Sequence, residues 1–342
     1  MTHPFPGSPT APICDVALIM TVLNEEGSLP KFLSGLAKQS CLPAEIIITD
    51  GGSADRSVEI LESWGVPQGV RLTVITAAGA NISAGRNLAI ERTSRERIVV
   101  TDAGTVLDRE WLRCLKAGFD AEADVVSGFF LPTGSTLFER TLARVVTPLL
   151  DEIEPEDFLP SSRSVGFTKQ AWSKAGGYPE WLDYCEDLVF DLALKAVGAR
   201  FTFAPGALVT WSARPDLMRF GKQYYRYARG DGKAGLFARR HTARYLAYFG
   251  GACLLIGGLF QPWFFGPLAL GFIVYQSKFL RRIWRDRREF GGRVPAALAL
   301  TPVIVVFGDL SKMLGYPAGL IWRHRRRALT MRSVRKTENP TC

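Results

Sequence analysis

Short apolar runs alternate with amphipathic stretches over the first part of the chain. Runs rich in Ile and Val predict buried strands at Val16–Val22, Glu45–Thr49, Arg71–Thr76 and Arg97–Thr101. Apolar residues with helical spacing lie between them, in residues 26–38, 55–64 and 82–94. This alternation predicts a mostly parallel sheet covered by helices. A short apolar run can also be a turn of buried helix, but the Ile and Val content favours strands.

The pattern changes in the second half of the chain. Residues 108–213 continue the mixed pattern, and Arg214–Arg244 is a basic stretch with helical spacing. Tyr245–Ser277 then contains no charged residue, and Val294–Trp322 contains only two. Both stretches exceed the roughly 20 residues that cross a bilayer, so we expect C-terminal membrane helices. Gln261-Pro262 near the middle of the first stretch predicts two short crossings or a re-entrant hairpin.

Charge is divided unevenly along the chain. From Arg214 onwards there are 24 Lys and Arg against six Asp and Glu, whereas residues 1–213 hold 18 against 27. A basic half is typical of proteins that bind nucleic acid or a membrane surface. Because these charges flank apolar stretches and no nucleic-acid motif occurs, we expect a membrane and no nucleic acid as partner. Basic residues in 278–293 and 323–342 predict that both segments are cytoplasmic.

Composition excludes several classes of site. The six cysteines form no C-x-x-C pair, so neither a disulfide scaffold nor a zinc knuckle is indicated, and three scattered histidines disfavour a histidine metal site. Residues 1–14 lack the pattern of a signal peptide and are interpreted as a flexible tail. The chain is then divided into an α/β domain at 15–213, a basic interfacial helical segment at 214–244, a membrane-embedded region at 245–322 with a basic loop at 278–293, and a basic tail at 323–342.

Polar, glycine-containing segments follow the first two predicted strands, where open parallel sheets bind ligands. Asn24-Glu25 follows the first strand and Asp50-Gly51-Gly52-Ser53 ends the second. The Asp50 carboxylate would suit a base or ribose, and glycines let the backbone turn tightly near a ligand. Each segment is also compatible with an ordinary strand-to-helix turn and a helix cap. No G-x-G-x-x-G opens the first helix, which disfavours a nicotinamide dinucleotide.

Three later segments carry charged groups at element ends. Asn81–Asn87 leads into a helix with Arg86 and Asn87, where an arginine can face a diphosphate. Asp102-Ala103-Gly104 follows an apolar strand, and a carboxylate there can hold a divalent ion. Glu186-Asp187 opens a helix, and one carboxylate of the pair can be a general base. A solvated arginine, an aspartate turn and helix capping are the simpler interpretations.

Together and in this order, the five segments resemble the motifs of the family 2 glycosyltransferases, which have the GT-A fold. The resemblance covers about residues 15–230. It implies an α/β GT-A catalytic domain, a nucleotide-diphosphate sugar as donor, Mg²⁺ or Mn²⁺ on its phosphates, and inversion by direct displacement. Asp187 would be the acceptor base with Glu186 beside it, and Asp102 the metal ligand. The implied donor contacts are Asn24, Glu25, Asp50, Gly52, Ser53, Arg86, Asn87 and Asp102.

The chain departs from the family pattern at three places. Val22-Leu23 replaces the commoner Thr-Tyr, and Gly51 replaces the second Asp of Asp-Asp-Gly-Ser. Gly104 replaces the second Asp of Asp-x-Asp, which leaves Asp102 as the only side-chain metal ligand in that motif.

Two aromatic segments resemble further parts of the family. Pro160–Phe167 and the Gly176–Trp181 segment that follows it resemble the acceptor-side portion of the family. Trp181 and Tyr184 could stack on sugar faces or be core or membrane-facing aromatics. Gln223-Tyr-Tyr-Arg226-Tyr resembles the Gln-x-x-Arg-Trp motif of processive synthases, which would put Gln223 on the acceptor side and Arg226 near the donor. Arg226 also belongs to a row of cations on one helical face: Arg219, Lys222, Arg226, Arg229 and Lys233.

This cationic face could meet the donor diphosphate or anionic lipid, or be a solvated face. Gly230-Asp231-Gly232 predicts a break or bend near its end. We expect a hexosyltransferase of the cell (inner) membrane, multi-pass or re-entrant, with a cytoplasmic catalytic domain and a lipid-linked or glycan acceptor. The alternatives are a processive polysaccharide synthase, disfavoured by the small membrane region, and a non-catalytic nucleotide-sugar-binding membrane protein, disfavoured by the retained acids.

Overall fold

The computed structural model describes residues 11–338, with side chains described for residues 11–326. The strands are β1 Ile13–Val22, β2 Leu42–Asp50, β3 Arg71–Thr76, β4 Arg97–Val100, β5 Thr105–Leu107, β6 Val125–Thr133, β7 Val165–Thr168 and β8 Phe201–Ser212. The helices are α1 Leu29–Ala37, α2 Ser57–Glu62, α3 Ile82–Arg92, α4 Trp111–Asp120, α5 Leu137–Val146, α6 Lys169–Ala175, α7 Glu186–Ala196, α8 Leu217–Ala234, α9 Ala238–Phe260, α10 Phe265–Arg285, α11 Arg287–Phe290 and α12 Val294–Glu338.

The strands form one mixed sheet in the order β3-β2-β1-β4-β7-β6-β8-β5. β1 pairs in parallel with β2 and β4, and β2 with β3. β7 is antiparallel to both β4 and β6, whereas β8 is parallel to β6 and antiparallel to β5. The predicted α/β fold with a mostly parallel sheet is confirmed. Because β1, β2 and β4 run in the same direction, the segments that follow them emerge at one edge.

Both faces of β1 are buried, because successive strand side chains point to opposite faces. Leu18 and Met20 lie in one apolar cluster with α1 and α4, which includes Phe32. Ala17 and Ile19 lie in a second cluster with α3 and α7. The strand therefore reads as a continuous apolar run, as expected for the centre of a parallel sheet. This double burial fixes the positions of the loops that follow β1, β2 and β4.

The chain separates into two compact units, which are Met1–Thr133 with Leu150–Ser212, and Gly134–Leu149 with Ala213–Cys342. The longer segment of the second unit begins at Ala213, one residue before the start at 214 that the sequence predicts. The second unit also contains residues 134–149, which were predicted to lie in the α/β domain. Of the predicted tail 1–14, residues 1–10 lie outside the described residues, and Ile13 and Cys14 belong to β1. For the predicted basic tail, α12 continues to Glu338, and the side chains from residue 327 onwards are outside the described part.

The second unit is helical. α9 is long and apolar enough to cross a membrane, as is the stretch Arg287–Arg326, and only 6% of the most apolar window of α9 is buried against 39% for the other. The chain breaks between α9 and α10 at Gln261-Pro262, where the sequence predicts the interruption. The predicted basic loop 278–293 is instead mostly helical, because α10 continues to Arg285 and α11 follows.

α8 is one continuous helix, so the predicted break at Gly230-Asp231-Gly232 is wrong. Gly232 serves helix packing instead, together with Gly319 of α12. A Cβ added at Gly232 would lie 2.3 Å from the carbonyl oxygen of Tyr316, and one at Gly319 would lie 2.2 Å from that of Arg229. The backbones of α8 and α12 therefore touch, as small residues allow at helix crossings.

The two charges that interrupt the second apolar stretch are accounted for within this unit. Asp309 is buried and accepts hydrogen bonds from Arg244 Nε at 2.9 Å and Tyr248 Oη at 3.2 Å, and also from the hydroxyl of Tyr275. Lys312 Nζ lies 3.8 Å from the same carboxylate. Partners from α9, α10 and α12 thus satisfy a buried acid inside apolar helices.

Candidate active site

The loops that follow β1 and β2 are joined by hydrogen bonds between side chains and backbone N–H groups. Asn24 has a positive φ of 57° and accepts a hydrogen bond from the backbone N–H of Ala54 through Oδ1, at 2.8 Å. Its own N–H donates to Ser53 Oγ at 2.9 Å. The backbone N–H of Glu25 donates to Ser57 Oγ at 2.7 Å. The predicted donor residues Asn24, Glu25 and Ser53 therefore lie together, at the carboxyl end of the parallel strands.

Asp50, the last residue of β2, is hydrogen-bonded to the loop that follows it. Asp50 is 1% exposed, and its carboxylate accepts hydrogen bonds from the N–H of Gly52 at 2.9 Å and from the N–H and hydroxyl of Ser53, the latter at 2.5 Å. Gly52 has φ +97°, a conformation that favours glycine. The structure therefore turns Asp50 towards its own loop, and its predicted direct contact with a base or ribose does not follow from this geometry.

Arg86 joins two motifs that are far apart in the sequence. Its guanidinium is almost fully buried and donates from Nη2 to Asp102 Oδ1 at 2.9 Å and from Nη1 to Glu186 Oε1 at 3.0 Å. The ring of Tyr178 lies beneath it, 5.2 Å from Cζ. Burial alone would lower the pKa of Arg86, but the carboxylates of Asp102 and Glu186 raise it. Arg86 therefore holds two acidic segments together, and its predicted contact with a donor diphosphate stays a prediction.

The two acids at the start of α7 are not equivalent. Glu186 is buried against Arg86, and burial together with the neighbouring Asp187 raises its pKa to about 7 even though Arg86 opposes the shift. Asp187 is only partly buried, and its Oδ2 accepts a hydrogen bond from Ser161 Oγ at 3.3 Å. Cys185, before the helix, has a positive φ of 65°, which sets how the helix begins. The geometry thus separates a structural acid, Glu186, from a more accessible one, Asp187.

Arg163 lies near Asp102 and belongs to the predicted acceptor-side segment Pro160–Phe167, although no contact was predicted for this residue by itself. Its Nη1 donates to Ser161 Oγ at 3.0 Å, and its Nε lies 3.9 Å from Asp102 Oδ2. Its guanidinium also stacks over the ring of Trp211, 5.0 Å from the ring centre. An arginine inside a serine-rich segment that precedes a buried strand, Ser161–Ser164 before β7, is the signal that could have identified it.

Asn87 has a different role from the predicted donor contact. Its Oδ1 accepts hydrogen bonds from the N–H of Tyr178 at 2.9 Å and from Trp172 Nε1 at 3.1 Å. Its Nδ2 donates to the carbonyl of Tyr178 and to Glu180 Oε1, both at 2.9 Å. These bonds use both acceptor sites and both donors of the amide. Asn87 therefore fixes the glycine-rich loop and has no hydrogen-bonding capacity left for a donor.

This loop borders a pocket of about 380 Å³. Trp181 is 39% exposed and lines the pocket with Glu180 and Gly177, while Val189 and Ala193 of α7 form another wall. Tyr184, also predicted on the acceptor side, is half-buried before α7 and does not line this pocket. An exposed indole beside a polar rim can stack on the apolar face of a sugar ring.

Gln223 and Arg226 belong to α8, in the second unit. Gln223 is buried, donates from Nε2 to Tyr227 Oη at 2.6 Å and accepts from Arg214 Nε at 3.2 Å. Arg226 is half-buried on the same helix. Their predicted acceptor and donor contacts stay predictions.

The predicted metal position does not fit a divalent ion as it stands. Mg²⁺ and Mn²⁺ prefer several oxygen ligands. Asp102 supplies one carboxylate, whose oxygens face Arg86 at 2.9 Å and Arg163 at 3.9 Å, and residue 104 is glycine. No group of three or more His, Cys, Asp or Glu side chains suited to a metal occurs within the described residues. The cations around Asp102 in the structure are therefore arginines.

Comparisons with known proteins cover different parts of the chain. Residues 17–172 match the family model for glycosyl transferase family 2. Glycosyltransferase GlyA of Streptococcus pneumoniae serotype 4 is 26% identical over 114 residues, which cover 33% of this chain and 16% of that protein. The chain thus spans less than a fifth of the length of this curated relative.

Solved structures that match part of this chain's backbone include residues 1–349 of S. aureus TarS. This fragment is 18% identical with a TM-score of 0.48, and the match covers 90% of this chain and 91% of that one. The same fragment in complex with UDP-GlcNAc is 17% identical, with a TM-score of 0.48 and the same coverage. The family model covers β1 to β4, the Arg86 and Asp102 motifs and the Arg163 segment. Residues 17–172, a little under half of the chain, are thus similar to glycosyl transferase family 2, and the mixed sheet flanked by helices that holds them is a GT-A-like fold.

Proposed function

We propose that the chain is an inverting transferase that moves a sugar from a nucleotide-diphosphate donor to a hydroxyl or phosphate acceptor at a membrane. The observation that carries this proposal is the cluster around Arg86. It brings Asp102, which follows β4, and Glu186-Asp187, which opens α7, to the same place in the α/β unit. The two segments are 84 positions apart in the sequence. A donor site and an acceptor base are thereby adjacent, as direct displacement requires.

The geometry favours Asp187 as the base. Glu186 is engaged by the buried Arg86, whereas Asp187 is more accessible and is held by the hydroxyl of Ser161. In the proposed step Asp187 accepts the proton of the acceptor, and a lone pair of the acceptor oxygen forms the new bond to the anomeric carbon. The electrons of the old bond leave with the nucleoside diphosphate. Because attack and departure occur on opposite faces of that carbon, its configuration inverts.

The donor nucleoside would lie along the loops that follow β1 and β2. The backbone N–H of Asn24 donates to Ser53 there, and the Asp50 carboxylate accepts hydrogen bonds from Gly52 and Ser53. The two loops are thereby connected. Fixed loops of this kind position a substrate without having to be ordered on binding. The acceptor would lie in the pocket beside Trp181, whose indole can stack on a sugar ring.

The membrane location rests on the surface of the second unit. Large apolar side chains of α9 and α10 are exposed there, among them Phe249 at 70%, Leu259 at 75%, Phe260 at 78% and Leu270 at 64%. Such a surface is typical of contact with lipid or a partner. The basic flanking segments support a cytoplasmic orientation at the inner membrane. A lipid-linked acceptor is part of the proposal because a membrane-held enzyme meets its acceptor at the membrane.

Release of nucleoside diphosphate tests the proposal. The detergent-solubilised full chain is incubated with a panel of UDP-, GDP- and dTDP-sugars and with membrane lipid extract or soluble glycans. We expect release from one donor with at least one acceptor, and loss of about 10²–10⁴-fold in Asp187→Asn. Asp15→Asn, an exposed acid at the start of β1 whose side chain is 75% exposed, is the matched control and should keep full activity. Equal turnover in the two variants would overturn the role of Asp187, and no release from any donor would overturn the function.

A further inference from the structure

We propose that α9 and α10 form a hairpin that enters an anionic lipid bilayer from one side and returns to that side without crossing it. The inference rests on the proposed function only for the membrane location, and it adds how the chain is held there. Three features of the second unit lead to it: an exposed hairpin without charge, cations at the opposite end from its tip, and a length that is too short to cross.

α9 and α10 pack against each other as antiparallel helices. A Cβ added at Gly258 would lie 2.7 Å from the ring of Phe265, and one at Gly251 would lie 3.8 Å from Leu268 Cδ1. The contacts thus move backwards along α9 as they move forwards along α10. At the other end of the pair, the hydroxyls of Tyr248 and Tyr275 both donate to the buried Asp309. We call the part between these two tyrosines, residues 249–274, the hairpin segment.

The surface of the hairpin segment is apolar on both helices and at the tip. Only Gln261 and Trp263 have a nitrogen or oxygen atom in the side chain, and only Gly258 is buried. At the tip, Phe260 is 78% exposed and Trp263 is 64% exposed. A protein partner would cover one patch of such a surface, whereas lipid surrounds both helices and the tip. The exposure therefore favours lipid as the occupant.

The turn between the two helices suits a hydrocarbon environment, where backbone groups need partners within the protein. The backbone N–H of Gln261 donates to the carbonyl of Gly257 at 2.8 Å, and that of Phe264 donates to the carbonyl of Gln261 at 3.2 Å. Pro262, between them, has no backbone N–H. The turn thus reduces its own need for water, although Gln261 and Trp263 are its only polar side chains.

Cations lie at the end of the hairpin that is opposite to the tip. Arg239 and Arg240 are in the first turn of α9, and Lys278 and Arg281 are in the last two turns of α10. All four residues are exposed. Because the helices are antiparallel, the two pairs lie at the same end. Lys and Arg at this end complement anionic headgroups, and the tip without charge complements the interior of the bilayer.

The hairpin segment is too short to cross a bilayer. With a rise of about 1.5 Å per residue, α9 extends by about 18 Å from Tyr248 to Phe260, and α10 by about 15 Å from Phe265 to Tyr275. The hydrocarbon core of a bilayer is about 30 Å thick. A tip that starts from one headgroup layer therefore ends inside the hydrocarbon.

Asp309 lies at the level of the headgroups in this arrangement. Arg244 Nε lies 2.9 Å from its carboxylate and Lys312 Nζ lies 3.8 Å from it. Three charged groups are costly within hydrocarbon and are tolerated near the polar interface. Since Tyr248 and Tyr275 are hydrogen-bonded to Asp309, the tyrosines lie at the same level, and the hairpin segment is the part that enters the hydrocarbon.

α12, the other helix long enough to span a membrane, packs along α8 instead. A Cβ added at Gly315 would lie 2.1 Å from the carbonyl oxygen of Tyr225, and one at Gly221 would lie 2.4 Å from the ring of Phe307. α8 carries the row of cations that begins at Arg219, so water reaches this helix pair. The exposed apolar residues of α12 include a stripe with helical spacing: Val303, Leu310, Leu314 and Ile321. Such a helix lies along the surface of a membrane.

Cysteine labelling in sealed vesicles tests the inference. Inside-out and right-side-out vesicles from cells that express the full chain are treated with a membrane-impermeant maleimide. Labelled peptides are identified by mass spectrometry, so the other cysteines are kept. The wild-type chain supplies one probe, Cys253, which is exposed on α9. Trp263→Cys and Leu259→Cys supply two more near the tip. We expect these probes to be labelled in neither kind of vesicle and to be labelled in full once detergent is added.

Arg239→Cys and Arg281→Cys are the matched controls, because they lie at the other end of the same two helices. Both should be labelled without detergent, and both in the same kind of vesicle. Three independent probes in the hairpin segment keep the test decisive if one variant does not accumulate in the membrane.

Two results would overturn the inference and leave the membrane location intact. One is labelling of the tip probes in the kind of vesicle opposite to that of Arg239→Cys, which would show two crossings. The other is labelling of Arg239→Cys and Arg281→Cys in opposite kinds of vesicle. Labelling of the tip probes without detergent, in the same vesicles as the controls, would overturn the membrane location as well. Protection that persists in detergent would assign the hairpin surface to a protein partner or a second copy of the chain and would overturn the inference.

Discussion

Replacing Arg86 with methionine tests whether the buried ion cluster is the element that organises the site. Methionine is long and apolar, so it fills most of the space and removes the charge and both hydrogen bonds. In the wild type the guanidinium contacts Glu186 at 3.0 Å and Asp102 at 2.9 Å, and the side chains of these acids are 11% and 31% exposed. The variant would leave one buried and one half-buried carboxylate without their common cation, beside Asp187.

Breaking a buried ion pair by removing one partner costs about 3–5 kcal/mol. For a unit of this size, each kcal/mol lowers the melting temperature by about 2–4 °C, so we expect a loss of roughly 6–20 °C at pH 8. The loss should be smaller at pH 6. The pKa of Glu186 is already raised to about 7 in the presence of Arg86, so below that pH the acid is neutralised by a proton. Thermal unfolding of the detergent-solubilised chain, followed by tryptophan fluorescence, measures both values.

Arg56→Met is the matched control. Arg56 pairs with Glu59 at 2.8 Å, but the two side chains are 69% and 62% exposed, so the pair contributes about 0–1 kcal/mol. The triple variant Arg86→Met, Asp102→Asn, Glu186→Gln should recover much of the stability, because it leaves no buried charge unpaired. The reasoning is refuted if Arg86→Met loses no more stability than Arg56→Met, or loses the same amount at both pH values.

Three further outcomes are expected. The pKa of Glu186 is raised from its ordinary 4.5 to about 7, so ionisation of this acid lowers the stability of the fold as the pH rises through that window. The melting temperature of Glu186→Gln should therefore increase relative to that of the wild type between pH 4.5 and pH 8. A difference in melting temperature that stays constant over this range would contradict the raised pKa. Asn87→Ala should lower the free energy of unfolding by about 1–3 kcal/mol and raise the KM for the acceptor, while nucleotide affinity, measured by calorimetry, stays unchanged. A selective loss of nucleotide affinity would instead support the predicted donor contact of Asn87. Gly319→Ala should destabilise the second unit by about 1–3 kcal/mol, because the added Cβ meets the backbone of α8. Gly271→Ala, with nothing within 4 Å of its Cβ, should not be destabilised. Equal melting temperatures of the two variants would show that the helices are not tightly packed where they cross.

The sheet was predictable from the sequence because its strands are buried on both faces. β1 to β4 read as short runs of Ile and Val, and the helices between them have a regular apolar spacing. The interruption at Gln261-Pro262 was equally visible, since proline ends a helix. The break predicted at Gly230 and Gly232 was wrong for a physical reason. Glycine favours a break when one helix is considered alone, whereas the missing side chain of Gly232 lets the backbone of α12 approach α8.

The motifs at the strand ends were also found, but the direction of their side chains was not. Arg86 and Asn87 are adjacent on α3, and both were interpreted as donor contacts. The structure turns Arg86 to two carboxylates and Asn87 to the backbone around Tyr178. Glu186 lies 100 positions after Arg86 and Tyr178 lies 91 positions after Asn87, whereas Asp102 is 16 positions from Arg86. Spacing within one motif carries no information on such contacts. The serine-rich surroundings of Arg163 mark it in the sequence, but its contacts with Asp102 and Trp211 come from distant segments and could not be assigned from them.

The configuration of the transferred sugar tests the central claim most directly. The product formed by the wild-type chain from its preferred donor is isolated, and the configuration at the anomeric carbon is determined by NMR. Direct displacement with Asp187 as the single base predicts the configuration opposite to that of the donor. A product that retains the donor configuration, or release of free sugar with no acceptor product in any assay, would contradict the account.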